Sequence, residues 1–218
     1  MNGCIGGKKK IVNRVSVYLS ITICFLLALL TSCMEQNEMD YYPMSIGCEW
    51  EYVGKMKRGP GEIISVKSTG RIEGKETING KEYYKLVTVY EGASGFPPKT
   101  VSYLRKTKDG IYLLAGEQKD KPELLSSPLP LKVGKTWKLA THSPTVKGEY
   151  RVEGIETVVL NDEKYEECLK IYLQQETDGV KGERVDYVAP DIGVIKQLVT
   201  FGDIEIEVYL KKFTPGMN

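Results

Sequence analysis

The sequence predicts an all-β protein: two pseudo-repeated antiparallel meanders that form a curved sheet, a sandwich or an open barrel, after an N-terminal signal helix. Three observations carry this. The 218-residue chain holds 14 Tyr against 4 Phe and 2 Trp, and tyrosine suits half-buried pleated surfaces. Short runs of β-branched and aromatic residues alternate with turn residues from residue 41 onward. Beyond residue 33, no segment shows a long apolar period of about 3.6 residues.

Residues 1–32 read as a signal peptide. Lys8, Lys9, Lys10 and Arg14 precede an apolar run from Val15 to Leu30, and no acidic residue accompanies them. That run is shorter than the roughly 20 residues that span a bilayer. Small residues follow it, as in a secretory signal. The segment ends Leu30-Thr31-Ser32-Cys33, which resembles the lipobox of bacterial lipoproteins. The resemblance implies that Cys33 receives a diacylglyceryl group and that the mature chain keeps 186 of the 218 residues. At ~0.8 kcal/mol per buried CH₂, two or three acyl chains hold a membrane far more firmly than one myristoyl chain. Met34 rather than Asp follows the cysteine, which by the same resemblance favours transfer to the outer membrane. Residues 33–40 are then the lipidated cysteine and a polar, acidic tether.

Charge excludes one class of partner. The chain carries 30 basic and 29 acidic residues, and loss of residues 1–32 leaves 26 against 29, a net of −3. A strongly basic nucleic-acid binder does not look like this. The expected partner is the membrane through the lipid anchor, with no nucleic acid. A protein, glycan or lipid ligand is left undetermined.

The body repeats itself. Pro43-x-x-x-Gly47-x-x-Trp50-x-Tyr52 returns 87 residues later as Pro130-x-x-x-Gly134-x-x-Trp137-x-Leu139. Arg71-Ile72-Glu73-Gly74-x-Glu76-Thr77 returns 80 residues later as Arg151-Val152-Glu153-Gly154-x-Glu156-Thr157. Tyr84-Lys85-Leu86 then matches Leu169-Lys170-Ile171, and Tyr103 with Asp109-Gly110-Ile111-Tyr112 matches Tyr187 with Ile192-Gly193-Val194-Ile195. A fixed order of similar blocks is the mark of an internal duplication. It divides the body into a first repeat at 41–114, a polar connection at 115–128 and a second repeat at 129–213. Each repeat is too small to be stable alone, so 41–213 is expected to share one core.

Within each repeat, strand and turn alternate. Glu62 to Val66, Tyr83 to Tyr90, Val101 to Arg105, Leu169 to Leu173 and Ile204 to Val208 have strand composition. Asn79-Gly80 and Asp109-Gly110 read as two-residue hairpin centres, because both positions adopt positive φ cheaply. Gly59-Pro60-Gly61, Gly95 with Pro97-Pro98, and Asn161-Asp162 mark further turns. In the Pro-x-x-x-Gly-x-x-Trp block, Pro suits the start of an edge strand and Gly allows a bend. Trp50 and Trp137 are expected to be matching core plugs, each burying roughly 150–250 Å², a gross gain of about 4–6 kcal/mol at ~25 cal/mol per Å².

Catalytic chemistry is sparse. Cys4 and Cys24 leave with the signal, so Cys48 and Cys168 remain, and in an oxidising compartment they can form a disulfide. The single histidine, His142, lies in a loop-like stretch with no nucleophile or orienting group beside it. Zinc lacks ligands, no EF-hand spacing appears, and no cofactor or metal site is expected. Asp162, Glu163, Glu166, Glu167, Glu73, Glu153 and Asp191 are carboxylates spread over turns and strand faces beside many lysines. They carry a weak reading as a carbohydrate-active enzyme. Tyr41, Tyr42 and Tyr52, then Tyr83, Tyr84, Tyr90, Tyr103 and Tyr112, then Tyr187, either line a binding groove or cover the sheet.

The segment Tyr187-Val188-Ala189-Pro190-Asp191-Ile192-Gly193-Val194-Ile195-Lys196, with the two Trp blocks, resembles uncharacterised bacterial envelope lipoproteins that carry Tyr-x-Ala-Pro-x-x-Gly-x-Val-Lys late in the chain. Ile195 here separates the valine from the lysine. The resemblance implies a β-rich exported domain and assigns no activity or catalytic residue. The leading expectation is a non-enzymatic, lipid-anchored envelope β-domain with a binding or scaffolding role and a filled interior. The alternative is a carrier of a lipid or other apolar ligand, which requires a concave cavity.

Overall fold

The computed structural model describes residues 39–92 and 97–217. The signal peptide, Cys33 and most of the tether lie outside them. Alternating apolar and polar residues, punctuated by Gly, Asn and Asp, give strands β1 (Glu49–Arg58), β2 (Glu62–Ile78), β3 (Lys81–Glu91), β4 (Lys99–Lys106), β5 (Gly110–Ala115) and β6 (Leu124–Pro128). The second half supplies β7 (Thr136–Lys138), β8 (Val146–Leu160), β9 (Glu163–Thr177), β10 (Val180–Ala189), β11 (Gly193–Phe201) and β12 (Ile204–Thr214). No α-helix occurs among the described residues; a 3-10 turn at Gly116–Gln118 interrupts the strands.

All twelve strands form one antiparallel sheet in the order β6-β5-β4-β3-β2-β1-β12-β11-β10-β9-β8-β7, nearly closed into a barrel. Of the three all-β architectures open to the sequence, the protein adopts the open barrel. The first strand pairs with the last, from Glu49 opposite Thr214 to Arg58 opposite Ile204. The open seam therefore falls mid-chain, between β6 and β7. At the seam the Trp137 indole donates to the Ser126 carbonyl at 3.1 Å.

The blocks matched by sequence make the same backbone contacts. Gly47 N donates to Ile72 O at 2.9 Å and Gly134 N to Val152 O at 2.8 Å. Ile72 N donates to Cys48 O at 2.9 Å and Val152 N to Lys135 O at 3.0 Å. Both glycines need positive φ, 92° and 85°, which costs a side-chain-bearing residue more. A bulge follows Ile72 in the β2·β3 ladder and Val152 in the β8·β9 ladder.

Several local expectations change. Asn79 (φ 51°) and Gly80 (φ 76°) do form the β2–β3 turn, but Gly110 lies inside β5 without positive φ. There Thr107 closes the turn, accepting at its hydroxyl from Asp109 N and Gly110 N. The polar connection 115–128 ends in strand β6, because Leu124 and Leu125 pair with Leu113 and Tyr112. The strand after Pro43 is central rather than an edge, paired on both sides. Cys48 and Cys168 are free, buried thiols rather than a disulfide. Cys48 Sγ accepts from Gly216 N at 3.2 Å, whereas Cys168 Sγ donates to Tyr165 O at 3.4 Å.

Two trials test this framework. A Cβ on Gly54 would lie 2.0 Å from the Glu207 carbonyl oxygen across the β1·β12 ladder. Overpacking of this kind costs ~1–3 kcal/mol, so Gly54→Ala is expected to lower the urea midpoint; an unchanged midpoint contradicts the close approach. Glu123 accepts hydrogen bonds from Arg105, Lys81 and Tyr83. Burial by itself would raise its carboxyl, but these donors bring it from 4.5 down to about 2. A carboxyl lowered by folding stabilises above its unfolded value and loses that contribution on acidification. Unfolding free energy should therefore fall as pH drops from 4.5 towards 2, and Glu123→Gln should flatten that slope. An identical slope in the variant removes Glu123 as the cause.

Candidate functional site

The interior of the open barrel is not filled. A half-open cavity of about 630 Å³ lies against β1, β2, β3, β4, β9, β10, β11 and β12, within the roughly 300–1,000 Å³ of ligand pockets. In the first half its wall is Val66, Gly70, Ile72, Leu86 and Leu104; the last strands add Val199, Ile206 and Val208. These side chains share one face because strand residues alternate.

The two tryptophans explain where the space is. Trp50 stands opposite Gly70 in the β1·β2 ladder, and Trp137 stands opposite Tyr150 in the β7·β8 ladder. Gly70 and Tyr150 are equivalent in the sequence match, each immediately before its Arg-led block and 80 residues apart. Tyr150 stacks on Trp137 with ring centroids 4.9 Å apart and 9° between planes. Gly70 offers Trp50 no such partner, and Trp50 instead tilts against Phe213 and donates to Ile192 O at 2.6 Å. Both indoles are half-buried rather than enclosed plugs. The second half is packed by Tyr150, Val152, Leu169, Ile171, Leu173 and Val188, so the volume lies on the glycine side.

The chain preceding β1 adds Tyr42, Pro43 and Met44 to the cavity wall. Asp191 N donates to Asp40 O at 2.6 Å, Tyr41 OH donates to Glu167 O at 2.9 Å, and Tyr42 OH to Ser127 Oγ at 3.1 Å. Lys106 Nζ reaches both Asp40 Oδ1 and Tyr42 O. Burial raises the Tyr42 and Tyr52 hydroxyls above their ordinary value, keeping both neutral. Tyr52 OH donates to Val194 O at 2.8 Å.

Against the apolar wall stands a polar cluster on the second half. Arg184 and Asp186, two apart on β10, share the inner face, and Asp186 is 6% exposed. Arg184 Nη2 donates to Asp186 Oδ2 at 3.0 Å and to Tyr150 OH at 3.2 Å; Gln197 Nε2 donates to Asp186 Oδ1 at 2.8 Å. Burial pushes the Asp186 carboxyl up in spite of these donors. For Arg184, burial opposes the charge but Asp186 and Tyr150 outweigh it, so the guanidinium stays protonated. Gln175 also faces the cavity.

Of the tyrosines singled out by sequence, Tyr42, Tyr52 and Tyr90 line the cavity, while Tyr41 packs in the cluster around Leu169 and Val188. Tyr83 and Tyr103 pack in a separate cluster with Ile78 and Leu114; their strand neighbour Leu104 faces inward, so they face outward. Tyr84 and Tyr112 lie under Lys75 and Arg105, and Tyr187 packs near Cys168. Among the carboxylates, Glu73, Glu153 and Glu166 are paired with Lys85, Arg151 and Lys164. Asp191 borders a second, polar cavity of about 570 Å³ beside Asp40 and Lys106. His142 lies in the loop between β7 and β8. Among the described residues no three His, Cys, Asp or Glu side chains cluster as a metal site. Sequence reasoning missed Arg184, Asp186 and Gln197. The stretch Gly182 to Tyr187 alternates charged residues with others on both faces, so only the sheet reveals which face is inside.

These features define a class: an open, twelve-stranded antiparallel barrel with an apolar interior of ligand size. No family model and no curated protein matches the chain. Two solved structures are similar. A "putative exported protein with YmcC-like fold" from Bacteroides fragilis is 11% identical, with a TM-score of 0.49, covering 81% of this chain and 99% of that one. A "putative lipoprotein" from Parabacteroides distasonis is 10% identical, with a TM-score of 0.47, covering 82% of this chain and all of that one.

Proposed function

We propose that this chain is a lipid-anchored β-domain of the bacterial envelope whose open barrel carries a lipid or other apolar ligand. The carrying observation is the apolar cavity of about 630 Å³. Burial of apolar ligand surface at ~25 cal/mol per Å² supplies the driving force. An interior of that size weighs against a purely scaffolding role with a filled core. The lipobox at Leu30 to Cys33, together with the basic and apolar segments before it, supports the anchor and the outer-membrane address. On the same reading β1–β6 and β7–β12 are two copies of one six-strand unit, one packed by Tyr150 and one left hollow at Gly70. The matched hydrogen bonds of Gly47 and Gly134 support that duplication. The domain is non-enzymatic in this proposal, binding rather than transforming what it holds.

The hollow can be closed with the other copy's residue. A Cβ on Gly70 would meet Leu86 Cδ1 and Thr88 Oγ1 at 3.6 Å, ordinary contact distances. Gly70→Tyr is expected to keep or raise stability, since Gly within a strand costs ~0.5–1 kcal/mol relative to Ala. It should also remove apolar molecules that copurify with the wild-type chain, read by solvent extraction and mass spectrometry. Undiminished occupancy in a folded variant overturns the cavity as the site. For the anchor, Cys33→Ala should abolish acyl labelling and release the chain from the membrane fraction; unchanged labelling and fractionation refute it.

A further inference from the structure

We propose that the ligand is a single-chain amphiphile with an anionic head, seated with that head on Arg184 and its tail along Val66, Ile72, Leu86, Ile206 and Val208. This rests on the carrier reading above and adds the head-group chemistry. Among the described residues, Arg184 Nε is the one buried side-chain nitrogen or oxygen with no hydrogen-bond partner. A buried donor without an acceptor is a defect that native proteins avoid. Asp186, by contrast, is satisfied at both oxygens, by Gln197 and by Arg184. The guanidinium thus has a donor left over after its carboxylate is saturated.

The setting selects for negative charge. Arg184 lines the cavity with 32% of its side chain exposed, enough for a long side chain to turn its free edge towards a bound oxygen. No Asp or Glu lines the cavity, so an entering anion meets no like charge on the wall. A cationic head would face the guanidinium, and a tail without an acceptor would leave Nε orphaned. Carboxylate and phosphate oxygens both meet the requirement, because hydrogen bonds between charged partners are the strong ones.

The test uses the full chain in its own membranes and three C16 probes carrying a diazirine at the tail: hexadecanoate, hexadecyl phosphate and hexadecanol. After irradiation, adducts are located by peptide mass spectrometry. The expected result is that an anionic probe labels the β2, β3 and β12 peptides about ten-fold more than the alcohol, and that Arg184→Gln removes this preference. Preference for carboxylate over phosphate, or the reverse, identifies the head group. Equal labelling by the alcohol and both anions overturns the anionic head while leaving the carrier standing. A preference that survives in folded Arg184→Gln does the same. Absence of cavity labelling by all three probes overturns the carrier as well. Should Arg184→Gln fail to fold, the wild-type ratio decides. Asp186→Asn provides a second reading, since freeing the guanidinium should raise anion labelling, and unchanged labelling counts against the proposal.

Discussion

The structure depends on the pairing of its first strand with its last. β1 is joined to β12 from Glu49 to Arg58, the pair of strands farthest apart in sequence. That pairing leaves β6 and β7 as the two edges of the sheet, and unpaired edges are where strands aggregate. The pairing also costs the entropy of bringing distant segments together. Gly54 is what lets the two strands approach so closely, with Val208 directly opposite. Because the first and last strands are joined, the break in the barrel falls between β6 and β7. There β6 and the three-residue β7 stay unpaired to each other, bridged through the Trp137 indole.

The interior follows from one difference between the halves. Where the second half places Tyr150 beneath a tryptophan, the first places Gly70. A stacked aromatic pair contributes ~0.5–1.5 kcal/mol beyond its buried area, and the first half forgoes it. A cavity forfeits contacts its lining would otherwise make. A protein that keeps such a hollow beside a well-packed counterpart gives up stability where the proposed ligand would restore it.

The Arg184–Asp186–Gln197 cluster is costly in the same sense. Two charges withdrawn from water repay their desolvation only when geometry and further hydrogen bonds are good. Asp186 receives such bonds; Arg184 lacks one at Nε. The segment before β1 contributes Tyr42, Pro43 and Met44 to the cavity wall, so the wall begins ahead of the first strand.

The sequence by itself determined the all-β class, the order of matched blocks and the Asn79-Gly80 turn, because period-two alternation and positive-φ residues act over a few positions. It also marked Gly47, Gly134 and the two tryptophans as special, since only a few residue types suit a bend or a broad apolar contact. Which architecture the strands adopt was decided by long-range pairing: β1 with β12 makes an open barrel where local pattern allowed a sandwich as well. The fates of Cys48 and Cys168 were likewise tertiary, because separate packing environments, not composition, keep the thiols apart from one another. The inward turn of Arg184 was settled last, since a strand with charges on both faces acquires an inside only when the sheet curls around it.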